Sequence, residues 1–317
     1  MNDLYGLAPD ACETASEMHH VLKSFGPFTG RYVIALPNED AWFKEVKHRF
    51  DSARDIEKSR LATVLRRARE DRAVIRNGSY NWPMERSWVE NAIAQLPRID
   101  HAKRVCVSEG ECDRLLTENK EIGRHIINIS DPELAGSISR WVEASVAGYA
   151  STMNQLIRIS QDIHVIDPYF DPLRRDRSDI FKAIITQASA VRGIDCVVFW
   201  VRRSIIMDGR EHAGRFNRGG VEAVARRAIP RGGRPLQVQF KLVNDEVSSD
   251  KLHARFLLTN RGAIQFDQGF QMLKVKNLVS VLGRDAHHEL YKKFTADVLS
   301  FDVDNFVIRV GEGRKFQ

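Results

Sequence analysis

His253 and Arg255, two residues apart, are the side chains of this sequence best suited to chemistry. They lie in the stretch Lys251 to Phe270, KLHARFLLTNRGAIQFDQGF. From Lys251 to Leu258 the residues alternate as in a strand. Leu252, Ala254, Phe256 and Leu258 share one face, and His253, Arg255 and Leu257 the other. The alternation breaks at the turn-forming Thr259-Asn260-Arg261-Gly262 and resumes as Ala263-Ile264-Gln265-Phe266. A nucleophile or general acid/base beside a fixed cation is what a reaction at a phosphate group requires. An edge strand with a wetted polar face has the same pattern, and the stretch alone does not separate the two.

The elements that must position this pair alternate between strand and helix. In the first half, strands are expected at Arg31 to Leu36, Lys103 to Val107 and His125 to Ile129. Residues 1–30 read as irregular with a short helix from Ala11 to Phe25. Asn38 suits the cap of a helix carrying Trp42, Phe43, Val46 and Phe50. A helix over Asp55 to Arg72 turns Ile56, Leu61, Val64, Leu65 and Ala68 inward. Its arginine-rich outer face, interrupted by Glu57, Glu70 and Asp71, reads as a salt-bridged surface. Trp82, Trp88, Val89, Ala92, Ile93 and Leu96 mark a third helix, and Ser130 with Pro132 predicts a helix over Asp131 to Tyr149.

The second half repeats the alternation. A helix over Ser151 to Ile159 leads to a strand at Ile163 to Ile166, and Asp179 to Arg192 is helical. Asp195 to Val201 (DCVVFWV) is apolar throughout, as in a strand buried on both faces. Gly219 to Ala228 and Ala286 to Leu299 read as helices, and Leu236 to Val243 and Asn305 to Val310 as strands. The fold class is α/β, with a division expected near Ala150 into residues 1–149 and 150–317.

Ligands of open α/β sheets gather at the carboxyl ends of strands. Here those ends carry Asp167, Tyr169 and Asp171 after one strand, and Arg202 and Arg203 after the next. Asp167-Pro168 and Asp171-Pro172 are equally good turn formers. From Arg202 to Arg234 nine arginines face only Asp208, Glu211 and Glu222, among interspersed glycines. Such a segment suits a polyanion, and a solvated loop explains it as well.

Composition narrows the classes. The 317 residues are 43% hydrophobic and 28% charged, which suits a soluble globular chain. Lys and Arg outnumber Asp and Glu by 48 to 42, which is compatible with an anionic partner. Cys12, Cys106, Cys112 and Cys196 form neither a CxxC pair nor a disulfide framework. The N-terminus lacks the apolar core of a signal peptide, and no run approaches the length of a membrane span, so a cytoplasmic location is expected. There is no GxxxxGK[ST] loop, dinucleotide loop or GxSxG elbow. His19-His20 and His287-His288 lack a coherent set of metal ligands, so neither cofactor nor metal is expected.

The second half resembles the phospholipase D superfamily, whose mark is a strand-borne HxK motif followed by an aspartate and a Gly-Ser turn. His253 matches the histidine, Arg255 takes the lysine position, Asn260 the aspartate position, and Gly269 lies near the glycine turn. The resemblance spans Gln155 to Phe301 by order of elements. It implies an α/β/α sandwich preceded by a second α/β region, and metal-independent cleavage of phosphodiesters through a phosphohistidine. Arg255 and Asn260 would assist His253, with Asp167, Tyr169, Arg202, Arg203, Gln265 and Gly269 on the substrate. Only one motif is visible, so a complete site implies a homodimer with two His253 residues facing each other. Nucleic acid, DNA or RNA, is the substrate class expected, and the absence of a membrane-seeking amphipathic helix speaks against lipid. The resemblance also extends to single-motif accessory proteins of bacterial defence systems, which implies protein partners. A degenerate member that binds without cleaving is the alternative.

Overall fold

The computed structural model describes residues 3–76, 80–204, 218–230, 234–244, 251–296, 299 and 301–310. The chain divides into two compact units, Asn2–Ile138 and Ser139–Gln317. The division falls ahead of the expected break near Ala150, because the residues after Ile138 already belong to the second sheet.

The first unit contains β1 (Asp3–Leu7), α1 (Ala15–Lys23), β2 (Arg31–Ile34), α2 (Glu39–Arg49), α3 (Asp55–Glu70), β3 (Val74–Ile75), α4 (Trp88–Gln95), β4 (Ala102–Val107), α5 (Glu109–Glu118) and β5 (Ile126–Asn128). Its strands form a parallel sheet in the order β3-β2-β1-β4-β5. The central strand β1 lies within the stretch read as irregular. Asn38 caps α2 as its position suggested, its side chain accepting from the Ala41 amide at 2.9 Å. Three outer arginines of α3 are paired, Arg60 with Glu57, Arg66 with Glu70 and Arg69 with Glu39. Ile56, expected inside, is exposed.

The second unit contains β6 (Ser139–Glu143), α6 (Val146–Ile159), β7 (Ile163–Ile166), α7 (Arg175–Ser189), β8 (Cys196–Arg202), α8 (Arg218–Ala228), β9 (Leu236–Val243), β10 (Phe256–Leu258), β11 (Ala263–Phe266), β12 (Lys276–Val281), α9 (Arg284–Thr295) and β13 (Val303–Val310). The eight-stranded sheet has the order β13-β9-β8-β7-β10-β11-β12-β6. Strands β7, β8 and β9 run parallel, and the remaining pairs are antiparallel.

Successive residues of β8 serve opposite faces, as the pleat requires. Phe199 stacks on Phe170 and Phe240 and meets Phe181 of α7. Trp200 meets Phe294 of α9 with ring centroids 4.9 Å apart. Helices therefore cover both faces, and the apolar run of β8 is their shared core.

Two expected elements are corrected. The helix over Asp131 to Tyr149 does not form. A short 3-10 turn, Pro132–Leu134, is followed by Gly136 at a φ of +66° and then by β6. Pairing with β12 outweighs the local helical pattern, and Ser145 caps a new helix by accepting from the Gly148 amide at 3.1 Å. The strand expected from Lys251 is also shorter. β7 ends at Ile166, which pairs with Phe256, so residues 251–255 run beyond the end of their neighbour. Their apolar side survives: Leu252, Ala254, Phe256 and Leu258 all pack in the cluster of Ile166, Trp200 and Phe294.

Candidate functional site

The antiparallel pairing of β10 with β7 brings the start of one strand to the carboxyl end of the other. Arg255 thereby reaches Asp167 and Tyr169, which follow β7. Asp167 is buried and anchors two segments. One carboxylate oxygen accepts from the Tyr169 amide at 3.0 Å, and the other accepts from the Phe270 amide at 2.9 Å. Burial pushes the Asp167 carboxyl above its usual range. The two amide hydrogen bonds and the cations Arg177 and Arg255 oppose that shift.

Gly269 sits between these groups with a φ of +72°. A Cβ on it would lie 2.5 Å from Asp167 Oδ2 and 2.8 Å from Arg255 Cδ. The turn that carries it is held from beneath. Asn277, fully buried, donates to the Gly269 carbonyl at 3.1 Å and to the Tyr149 hydroxyl at 3.0 Å, and accepts from the Gln268 amide at 3.0 Å. Arg177, also buried, donates to Gln271 Oε1 at 3.1 Å. Tyr149, Arg177 and Asn277 were missed in the sequence. The only local signal was Asn277, a polar side chain at a buried position of an alternating strand.

Two guanidinium groups share the half-buried Tyr169 ring, Arg202 at 5.4 Å and Arg255 at 5.5 Å from its centroid. Arg255 is steadied by the Asp267 carbonyl at 2.8 Å. Arg202 donates to the Leu252 carbonyl at 3.1 Å, one residue before His253, whose side chain is exposed. The sequence-derived residues Asp167, Tyr169, Arg202, Arg255 and Gly269 therefore converge around the Tyr169 ring and the Gly269 turn, and Arg202 reaches the residue before His253. Guanidinium groups held in place can bind phosphate oxygens, and an exposed imidazole offers a nitrogen that can attack phosphorus.

Three other candidates lie elsewhere. Arg203 is paired with Asp304 of β13 at 2.6 Å. Gln265, exposed on β11, is paired in register with Phe256. Asn260 is at the opposite end of β10, where its side chain bonds Gln161 and its amide donates to Asp162 Oδ1 at 2.6 Å. Asn260 cannot assist His253 from there. Asn260→Asp, the change that would complete the motif on paper, is expected to lower stability by about 1 kcal/mol through repulsion with Asp162. Thermal unfolding measures this, and a variant more stable than wild type would contradict the placement.

Part of the arginine-rich segment, residues 205–217 and 231–233, lies outside the described residues. Of its described members, Arg203, Arg226 and Arg234 are paired with Asp304, Glu222 and Asp195. Among the described residues no group of three or more His, Cys, Asp or Glu side chains could hold a metal ion. No described helix is long and apolar enough to cross a membrane. Comparison of the sequence with protein-family models gives no match, and comparison with curated proteins gives none.

Proposed function

We propose that the Ser139–Gln317 unit is a phospholipase D-like module, an α/β/α sandwich, acting on nucleic acid as a metal-independent phosphodiesterase. One observation carries this reading: Arg255 and Arg202 each lie against the Tyr169 ring, and Arg202 donates to the carbonyl of the residue before the exposed His253. In the reaction a ring nitrogen of His253 attacks phosphorus, an N–P bond forms and the P–O bond to the leaving strand breaks. The departing oxygen takes its proton from a second His253 contributed by another copy of the chain. Water then attacks phosphorus, giving its proton back to the second His253, and the N–P bond breaks, restoring the first imidazole. The arginines stabilise the charge that develops on the phosphoryl oxygens. A role beside other proteins of a bacterial defence system belongs to the same reading.

A second reading is supported by Asn260, which is turned away from the site. With that position and the lysine position both altered, the unit binds nucleic acid or a partner without cutting. Wild type and His253→Ala, incubated in EDTA with labelled single- and double-stranded nucleic acid, separate the two. The enzyme reading expects cleavage that falls at least about a thousandfold in the variant. Undiminished cleavage by His253→Ala sinks it, and binding without cleavage by either protein leaves the second reading.

A further inference from the structure

Strand β13 forms one edge of the eight-stranded sheet. It pairs with β9 along all eight of its residues, from Val303 opposite Val243 to Val310 opposite Leu236, without a slip in register. Backbone groups of an antiparallel strand point alternately to its two sides. The Asn244 amide donates to the Asp302 carbonyl at 2.9 Å, and this bond sets the phase. Residues 304, 306, 308 and 310 turn their amides and carbonyls to β9, and Val303, Asn305, Val307 and Arg309 turn theirs outward. The β9 side agrees: Gln237, opposite Arg309, donates its amide to the Asp195 carbonyl at 2.9 Å, toward β8. Among the described residues no backbone hydrogen bond reaches the outward groups of those four.

An open edge invites another strand, and proteins blunt it by shortness, proline, lysine or a bulge. The opposite edge, β6, is only five residues long. The sequence of β13, VDNFVIRV, has no proline, glycine or lysine, is mostly apolar and pairs without a bulge. Its charges are sorted along its length. Exposed Asp302 and Asp304 stand at its start, and exposed Arg309 near its end. A second copy running antiparallel brings these opposite charges together, whereas a parallel copy sets like charges side by side.

We propose that β13 is an interface with a second copy of this chain, the two strands pairing antiparallel about a twofold axis at position 306. In this register Val303 lies opposite the partner's Arg309, and Asn305 opposite the partner's Val307. All four outward residues then meet outward residues, giving about eight backbone hydrogen bonds in a sheet continuous across both copies. A register displaced by one residue sets outward groups against groups already turned to β9 and forms none of these bonds. Strand β10 lies four steps from β13, so the two candidate sites stand roughly 40 Å apart across this contact. It is therefore not the contact that would bring two His253 side chains together, and it does not rest on the phosphodiesterase reading.

The test is sedimentation velocity of the full chain at micromolar concentration, with circular dichroism to confirm that each variant is folded. Wild type should sediment as a dimer, or as a tetramer where the His253 contact forms as well. Val307→Pro removes an outward amide, leaves the hydrogen bonds to β9 in place and should halve the species. Arg309→Glu sets another acid against the partner's Asp302 and the partner's Asp304, and should raise the dissociation constant about tenfold. Adding Asp302→Lys to it should recover most of that loss. A monomeric wild type overturns the interface. So does unchanged association of folded Val307→Pro or of Arg309→Glu, which would place the contact elsewhere, the His253 face included. A defect in Arg309→Glu that Asp302→Lys does not relieve overturns the antiparallel register. Should Val307→Pro fail to fold, the charge variants decide alone.

Discussion

Gly269→Val is expected to destabilise the Ser139–Gln317 unit by about 3–5 kcal/mol, from backbone strain at a φ of +72° together with overpacking. The two costs have different remedies. Arg255 Cδ, 2.8 Å from the new Cβ, belongs to a flexible chain and can swing aside. Asp167 Oδ2, at 2.5 Å, cannot, because the carboxylate is pinned by the Tyr169 and Phe270 amides. Relief therefore requires the turn to leave Asn277 or Asp167 to leave β7, and either movement disperses the site. Thermal unfolding should show a loss of roughly 10 °C for the unit, with Gly269→Ala intermediate. A valine variant within a degree of wild type would show that the turn repacks freely.

Acid should loosen the face of the sheet opposite the Phe199 stack. His164 is buried, and its ring nitrogen Nδ1 accepts from Trp200 Nε1 at 3.1 Å. Burial lowers its pKa from 6.5 to about 4, nearby Lys241 adds to the effect, and Asp162 opposes it. His287 of α9, bonded to the Thr259 carbonyl, is also lowered by burial. A histidine depressed in the folded state takes up its proton more readily when unfolded. Its contribution is therefore intact above pH 6.5 and is lost as pH falls toward 4. The His164 gap alone is worth about 3 kcal/mol. Hydrogen exchange of peptides from β7 and α9 should accelerate across that window in wild type. His164→Gln, whose side-chain oxygen can still accept from Trp200, should flatten the response. An equally steep response in the variant would assign the acid sensitivity to other groups.

The strands with strong local signals were legible in the sequence: Ile163–Ile166 and Leu236–Val243 fall where the apolar patterns put them. What stayed hidden depends on partners far away in the chain. Ser-Arg-Trp-Val-Glu becomes β6 only because β12, more than a hundred residues later, pairs with it. Asp3–Leu7 has a glycine within it and a charge at its start, yet it is the central strand of its sheet. At the candidate site, residue types pointed to Asp167, Tyr169, Arg202 and Arg255, and the β7–β10 pairing joined them. Asn260 failed because motif spacing counts residues, whereas β10 is a short rod whose two ends serve different neighbours.

The pairing of β6 with β12 also bears on the order in which the chain acquires its shape on the ribosome. The first strand of this sheet waits for nearly the last, and the site is assembled from four segments between residues 167 and 270. Contacts so distant in sequence close late and slowly. A nascent chain that ends before Lys276 has an unpartnered β6 and, without Asn277, no support beneath the Gly269 turn. The site therefore matures only after β12 has been made, and a product that stops before Asn277 would lack the support of its turn.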